Sequence, residues 1–297
     1  MTQVLPTLPG AVPAPAAAHA AAGEPQVLRF TRLNRLLHAG MIVSFISLAL
    51  TGLTLKFSYT RWAGVVSRFF GGFESAGYVH RFAAVIMFSV FIAHLVDVAR
   101  MKRREGLSLR QLLFGPGSML FNRKDLRDFV GNIKWFLGRG PRPHYGRWTY
   151  WEKFDYFAVF WGIFVIGSSG LMLWFPEFFT RFIPGAALNV ATIIHSDEAL
   201  LATGFIFTVH FFNTHLRPEK FPMDIVVFTG RMPLAEFKRD KPAEYEAMVR
   251  DGTLEAHLVE PYPAIVVRAI RTFAWTALAV GFSIVVWIII AMLFDYR

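Results

Sequence analysis

The segment TIIHSDEALLATGFIFTVHFF, residues 192–212, is predominantly apolar but has a histidine near each end, His195 and His210. Its length matches the run of about 20 apolar residues that a helix needs to cross a bilayer. A titratable side chain in hydrocarbon is costly and by default marks a functional site. The segment therefore predicts a membrane-spanning helix whose two histidines have a function.

Four more segments have the same apolar character: 36–57, 79–99, 156–175 and 272–294. The whole chain of 297 residues is 54% hydrophobic, which is more apolar than soluble domains. We therefore predict an all-α integral membrane protein, a four-helix bundle plus a fifth transmembrane helix. The predicted parts are a flexible cytoplasmic tail (1–28), the four-helix core (29–230), a cytoplasmic segment (231–271) and the fifth helix (272–297).

The basic residues are distributed unevenly along the chain. Of its 31 lysines and arginines, 25 fall before the first span or in the segments 100–153 and 214–271. The positive-inside rule then places the N-terminus in the cytoplasm and the C-terminus in the periplasm of a bacterial inner membrane. The net charge of +10 is thus explained by topology, and it does not indicate nucleic-acid binding.

The first of these basic segments contains DLRDFVGNIKWFL, residues Asp125–Leu137. Its apolar residues recur at helical spacing, which predicts a helix lying in the headgroup plane or forming a partner surface.

The absence of cysteine limits the chemistry of the chain. Disulfides, iron–sulfur clusters, zinc-thiolate sites and covalent c-type haem are excluded within it. A redox centre of any of these kinds would belong to a partner.

The second span also carries two histidines, His80 and His94. Spacings of 14 and 15 residues keep each pair on one helix face, about 21 and about 22 Å apart. A hydrocarbon core of about 30 Å has room for two stacked haems at these depths. Since histidine is a common axial ligand of haem iron, we predict a haem-binding bundle with two b haems.

The inner end has more histidines than two haems require. His38 opens the first span, and His215 follows His210 just beyond the fourth. The surplus leaves room for a third haem or for a quinone site, where reduction needs a hydrogen-bond donor and a proton carrier. Residues predicted for the quinone site are His215, Glu152, Lys153 and Asp155, the last three at the cytoplasmic start of the third span.

Several stretches resemble the gamma subunit of formate dehydrogenase and the related bacterial cytochrome b561 and Ni-hydrogenase cytochrome b family. In RLNRLLHAGMIVSFISLALTGLTLKF, residues 32–57, the R-x-x-H of Arg35 and His38 and the later Gly52 match the first span of that family. The likeness covers roughly residues 29–230 and also includes the contexts of His80, Gly170, His195 and His210. It departs in one respect, because the two family ligands in the fourth span stand one residue closer together.

The resemblance implies His80 and His195 as ligands of the outer haem, and His38 and His210 as ligands of the inner haem. The arrangement of His80, His94, His195 and His210 is also similar to cytochrome b of the bc1 and b6f complexes. That pattern would pair His94 with His210 and make His215 a quinone-site residue. We favour His38 because its R-x-x-H context is the closer match.

Further polar and small residues lie near these candidate ligands. Arg35, Arg81 and Arg217 are predicted to pair with haem propionates, although interfacial arginines also snorkel. Asp197 and Glu198 would orient His195, carry protons, or simply lie at the interface. Gly52, Gly167 and Gly170 would admit a porphyrin edge or allow close helix packing.

These observations together predict an electron-transfer, quinone-reactive subunit of a respiratory oxidoreductase complex. Its two b haems would connect a quinone pool near the cytoplasmic face with a periplasmic partner, either a multihaem cytochrome c or an iron–sulfur/molybdenum dehydrogenase. The alternative from another class is a proton-coupled transporter or channel that uses the histidines without haem. A histidine-box metalloenzyme would need clustered histidines at the membrane surface, which the spacings of 14 and 15 do not provide.

Overall fold

The computed structural model describes residues 24–217, 220–221, 223–290 and 293–294. Five of its helices are long and apolar enough to cross a membrane: α1 (Arg32–Lys56), α3 (Phe73–Arg104), α6 (Tyr150–Trp174), α8 with its extension (Ala186–Leu216) and α12 (Ala264–Ile290). The predicted all-α, multi-pass membrane fold is confirmed. The predicted spans fall within these helices, apart from one residue at the end of the first and one at the end of the third. Of the predicted residues after Ile290 in the fifth, the structure describes only 293–294.

The spanning helices begin where local sequence favours a helix start. Thr31 caps α1, and its hydroxyl accepts a hydrogen bond from the Asn34 backbone N–H. Thr149 caps α6 in the same way, and Glu152 completes a capping box with it. The end of the bundle that includes the starts of α1 and α6 is called the basic end below, and the opposite end, which includes Lys56 and Trp174, is called the far end.

The first four spanning helices form two pairs. Helix α1 packs most extensively on α3, and α6 packs most extensively on α8. Close approach within and between the pairs relies on small residues: a Cβ on Gly40 would lie 2.9 Å from Val90, and one on Gly167 would lie 3.0 Å from Phe88.

The fourth spanning helix changes its winding near the basic end. Helix α8 (Ala186–Phe205) continues into π-helical turns at Ile206–His210 and Phe212–Leu216. In a π-helix the backbone bonds join residues five apart, so residues with that spacing approach the same face. His210 and His215 have this spacing, which the α-helical arithmetic of the sequence does not anticipate.

The fifth spanning helix belongs to the bundle and is not peripheral to it. Leu278, Ile284 and Ile288 of α12 form a buried cluster with Phe207 and Phe211. A Cβ on Gly281 would lie 2.2 Å from Phe207, so the missing side chain makes this contact possible. The fifth helix, predicted in addition to the four-helix bundle, thus packs against that bundle through aromatic residues of the π-helical segment.

Short helices connect the spans. They are α2 (Arg61–Phe69) and α7 (Pro176–Phe179) at the far end, and α4 (Leu109–Phe114) and α5 (Arg123–Phe136) at the basic end. The predicted helix at Asp125–Leu137 is therefore present as α5.

A small sheet module lies at the basic end. Strand β1 (Gln26–Leu28) is the centre of an antiparallel sheet, between β2 (Arg231–Pro233) and β3 (Leu258–Val259). Helices α9 (Val226–Thr229), α10 (Leu234–Asp240) and α11 (Pro242–Arg250) complete the module. Its core consists of Val27, Val226, Met232 and Phe237.

The module corrects two predicted boundaries. Residues 26–28 are not part of a flexible tail, because Val27 is buried in the centre of the sheet; residues 1–23 of the predicted tail lie outside the described residues. The segment predicted as 231–271 is folded onto the bundle, and α12 begins at Ala264 instead of residue 272.

Candidate functional site

Two histidines face each other in the half of the bundle nearer the far end. The ring centres of His80, on α3, and His195, on α8, are 6.2 Å apart, and their planes are inclined at 79°. Metal–imidazole bonds of about 2 Å would place two ligating nitrogens about 4 Å apart and the ring centres about 6 Å apart. The observed separation therefore fits two imidazoles that share one metal centre.

The neighbouring helix fixes the protonation of His80. Its Nδ1 lies 2.9 Å from the Thr51 hydroxyl oxygen. The hydroxyl hydrogen of Thr51 is already donated to the Ser47 carbonyl, at 2.6 Å. His80 Nδ1–H must therefore donate to Thr51, which leaves Nε2 unprotonated and able to bind a metal.

His195 is fixed in the same tautomer by a different acceptor. Its Nδ1 lies 2.9 Å from the Ile166 carbonyl oxygen and 3.4 Å from the Ser169 hydroxyl. A carbonyl oxygen can only accept, so His195 Nδ1–H donates and Nε2 keeps its lone pair. Both rings thus have the orientation and tautomer that metal-binding histidines take from their outer hydrogen bonds.

The two helix pairs present their histidines in parallel ways. A hydroxyl residue followed by glycine, Thr51-Gly52 on α1 and Ser169-Gly170 on α6, lies against the histidine of the paired helix. A Cβ on Gly52 would lie 3.2 Å from His80, and one on Gly170 would lie 2.8 Å from His195. These glycines therefore make room for the imidazoles themselves.

At the basic end, His210 is held by a carboxylate. Its Nδ1 lies 2.9 Å from Asp155 Oδ2, between α8 and α6. Such carboxylate–histidine pairs orient metal ligands and increase their basicity. Asp155, predicted as a quinone-site residue, is therefore placed where it orients His210.

His38 lies near this pair without a fixed partner of its own. Its Nδ1 is buried and has no hydrogen-bond partner among the described residues. His38 is close enough to His210 and His215 for a charge on either ring to act on it. Its ring also packs edge-on against Phe228. His215 is also buried, and its Nδ1 has no partner in the part of the chain that the structure describes. Three histidines therefore gather at this end.

His94 has a different environment. Its Nε2 lies 2.9 Å from the Tyr156 hydroxyl, and the two rings pack edge to face. The nitrogen that usually binds haem iron is thus engaged by α6. His94 Nε2 is therefore occupied, whereas His38 Nδ1 has no partner among the described residues.

Glu152 and Lys153 are occupied by structural contacts. Glu152 accepts a hydrogen bond from Lys241 at 2.7 Å, which ties the sheet module to α6. Lys153 is buried and binds Asp125 on α5 at 2.9 Å. These two of the four residues predicted for the quinone site therefore hold the basic end together. Of the other two, His215 Nδ1 and Asp155 Oδ1 are buried without a hydrogen-bond partner among the described residues.

The three predicted propionate-binding arginines differ in their surroundings. Arg35 donates to the Phe228 carbonyl and the Tyr262 hydroxyl, both at 3.3 Å. Arg217 lies over the Trp151 ring at 4.7 Å. Arg81 lies beside Trp174, next to His80 at the far end. Arg35 thus joins α1 to the segment between the fourth and fifth spanning helices.

Asp197 and Glu198 do not contact His195 in the structure. Lys56 binds Asp197 at 2.9 Å and so joins α1 to α8. Glu198 accepts a hydrogen bond from the Trp161 indole at 3.4 Å. These contacts fit acids that lie at the membrane interface better than acids that orient His195 or carry protons.

Within the described residues, no group of three or more histidines and carboxylates is arranged to hold a bare metal ion. An axial pair is a different kind of site, because a porphyrin supplies the remaining ligands. The facing imidazoles, the glycines beside them and the fixed tautomers fit haem at the His80–His195 position. No protein-family model matches the sequence, and no curated protein is significantly similar to it.

The sequence interpretation did not identify four of the groups that hold the histidines in place. These are Thr51, the Ile166 carbonyl, Ser169 and Tyr156. The repeated hydroxyl–glycine pair, Thr51-Gly52 and Ser169-Gly170, was the available signal for two of them. A backbone carbonyl leaves no such signal.

Proposed function

We propose that the chain is the membrane cytochrome b subunit of a bacterial respiratory complex and carries electrons across the inner membrane through two b haems. The observation that carries this proposal is the facing pair His80 and His195, 6.2 Å apart, on opposite helix pairs. A bound haem supplies a one-electron redox centre, which none of the chain's own side chains provides.

At the outer position, the protein's contribution is orientation. Thr51 and the Ile166 carbonyl hold the two imidazoles in the tautomer that presents Nε2. Because each acceptor belongs to a helix packed against the ligand's own helix, ligand geometry is fixed by helix packing.

At the inner position, we assign His38 and His210 as the ligand pair. Asp155 accepts a hydrogen bond from His210 Nδ1–H and so orients that ring. His94 is assigned a hydrogen bond to Tyr156 instead. The support is that His38 Nδ1 is buried without a partner among the described residues, whereas His94 Nε2 is already engaged.

A quinone is proposed to react near the basic end, with His215 as the residue that carries its proton. His215 is buried and packs edge-on against Phe211, with the two ring centres 5.4 Å apart. Its Nδ1 has no hydrogen-bond partner among the described residues. A quinone carbonyl needs such a donor, and its conversion to quinol needs protons delivered from the aqueous side.

The proposed orientation has the basic end in the cytoplasm, as the distribution of lysine and arginine indicates. The outer haem would then exchange electrons with a periplasmic partner, a multihaem cytochrome c or an iron–sulfur/molybdenum dehydrogenase. The chain would act as the quinone-reactive subunit of that complex.

The proposal is tested with the purified full chain in nanodiscs, mixed with a reduced short-chain quinone. We expect b-type absorption bands to develop in the wild type. In His215→Ala, the rate of this reduction should fall by about 100-fold or more, as expected for loss of a proton carrier, while reduction by dithionite stays complete. His257→Ala is the matched control, because His257 is exposed at the end of the short 3-10 helix before β3.

Two results would contradict the proposal. Wild-type protein without b-type absorption after dithionite would favour a transporter or channel that uses the histidines without haem. Equal rates of haem reduction by the quinol in His215→Ala and wild type would remove His215 from the quinone site.

A further inference from the structure

The surface of α5 has an inverted distribution of polarity. Its polar residues Asp125, Asp128 and Asn132 are buried against the protein, at 5–9% exposure. Its apolar residues are 43–74% exposed: Leu126, Phe129, Val130, Ile133, Phe136 and Leu137. A helix on a water-exposed surface would turn these apolar residues towards the protein. Because they face outward in α5, an apolar environment must cover them.

The buried polar face is fully used by the protein. Asp125 binds Lys153, and Asn132 exchanges hydrogen bonds with Tyr145 and Tyr150. Lys124 joins Asp128 to the His144 carbonyl. The orientation of the helix is therefore determined by specific contacts, and its apolar residues have no alternative but to face outward.

These contacts also fix the depth of α5 relative to the bilayer. Tyr150 and Lys153 lie in the first turn of the spanning helix α6. The side chain of Phe129 packs edge-on against Tyr150 at 5.4 Å. A helix attached to the first turn of a span lies at the level of the headgroups, beside the lipid-facing surface of the bundle.

The charges around α5 complement a phospholipid surface. At about 100° per residue, the apolar sector is followed by a sector containing Arg123, Arg127 and Lys134, and then by the buried polar sector. All three basic side chains are exposed. An apolar sector with adjoining basic side chains is the pattern of helices that lie in an anionic membrane interface.

We infer that α5 lies in the plane of the lipid headgroups, with its apolar sector immersed in the bilayer and its basic sector at the phosphates. The helix then connects the membrane surface to the first turn of α6. Asp155 follows on the same helix, two residues after Lys153. This inference is independent of the proposed haem function, because none of its residues is a candidate ligand.

The absence of cysteine allows a direct test by single-site labelling of the full chain. Leu126→Cys and Ile133→Cys would carry an environment-sensitive fluorophore, in nanodiscs that hold one chain each and contain phosphatidylglycerol. Val249→Cys is the matched control, since Val249 is 50% exposed on α11, away from the spans. Circular dichroism and gel filtration check that each labelled chain keeps its fold.

Lipids with a spin label in the acyl chain should quench the fluorophore at positions 126 and 133 several-fold more strongly than at position 249. Both membrane-facing positions should also show blue-shifted emission. Equal quenching at all three positions would overturn the inference. Blue-shifted emission that arises only when two chains share a disc, or only after a soluble protein is added, would also overturn it by assigning the face to that partner.

Discussion

Asp155 and Tyr156, neighbours on α6, each hold a different histidine of the basic end. Asp155 Oδ2 lies 2.9 Å from His210 Nδ1, and the Tyr156 hydroxyl lies 2.9 Å from His94 Nε2. Consecutive helix residues point about 100° apart, so the two histidines approach α6 from different sides. His94 Nε2 and His210 Nδ1 are therefore held by different sides of α6.

This arrangement predicts which histidine the inner haem requires. His38→Ala should lose one haem per chain, because an inner ligand is removed. His94→Ala should keep the wild-type number, because only the bond to Tyr156 is lost. A pyridine haemochrome assay on the purified variants measures both, and a lost haem in His94→Ala with none lost in His38→Ala would reverse the assignment.

Thr51 is expected to control the orientation of His80. Thr51→Val keeps the shape of the side chain but removes the acceptor for His80 Nδ1–H, so the outer haem should be held about 10- to 100-fold more weakly. The measurement is the rate at which apomyoglobin extracts haem from the purified protein. Thr54→Val is the matched control, since the Thr54 hydroxyl donates to the Leu50 carbonyl of its own helix and has no other partner in the described part of the chain. The same extraction rate in both variants would show that Thr51 does not orient the ligand.

Gly170 is expected to be required for the position of the His195 ring. In Gly170→Ala the new Cβ would lie 2.8 Å from His195 Cε1, so the ring or the helix must shift. Overpacking of this kind costs about 1–3 kcal/mol in the free energy of unfolding. Gly204→Ala has open space around its Cβ and should be neutral or slightly stabilising. Thermal unfolding in detergent compares the two, and equal stability would argue against the close approach.

Lys220 is expected to stabilise the sheet module. It binds Asp224 at 3.1 Å and Asp240 at 3.2 Å, and it also binds Glu236. Lys220→Met leaves these acids without their common partner, which should destabilise the module by about 3–5 kcal/mol at neutral pH. Hydrogen exchange of residues 231–241 reports this, and exposed Lys238→Met should change it little. A loss no larger than that of Lys238→Met would contradict the role of Lys220.

The same variant should change the response to acid. Burial alone would raise the pKa of the Asp240 carboxyl, but Lys220 and Arg239 outweigh burial and lower that pKa to about 2. Because the folded-state pKa lies below the unfolded value of about 4, the contribution to stability is present above about pH 4 and is lost as the pH falls towards 2. The stability difference between wild type and Lys220→Met should therefore shrink over that range. A difference that stays constant from pH 5 to pH 2, measured on the same amides, would contradict this coupling.

The spans and the histidine depths could be predicted because they depend on local patterns. Hydropathy over about 20 residues identifies a span, and a fixed helical repeat relates His80 to His94. The capping threonines Thr31 and Thr149 and the helix α5 are similarly local. In each of these cases the relevant interactions connect residues close together in the sequence.

The parts that could not be predicted depend on distant partners. Strand β1 pairs with Arg231–Pro233, about 200 residues later, so Val27 looks like part of a flexible tail until its partners are known. Glu152 resembled a quinone-site acid because Lys241 is far away in sequence. The π-helical turns around His210 arise where α12 packs against aromatic residues, and no sequence repeat indicates them.

The central claim is that His80 and His195 bind one haem between them, and haem stoichiometry in a double-mutant comparison tests it most directly. Purified wild type should contain two b haems per chain. His80→Ala, His195→Ala and the double variant should each contain one, because either substitution removes the same site. Two haems in either single variant, no haem in the double variant, or no haem in the wild type would contradict the claim.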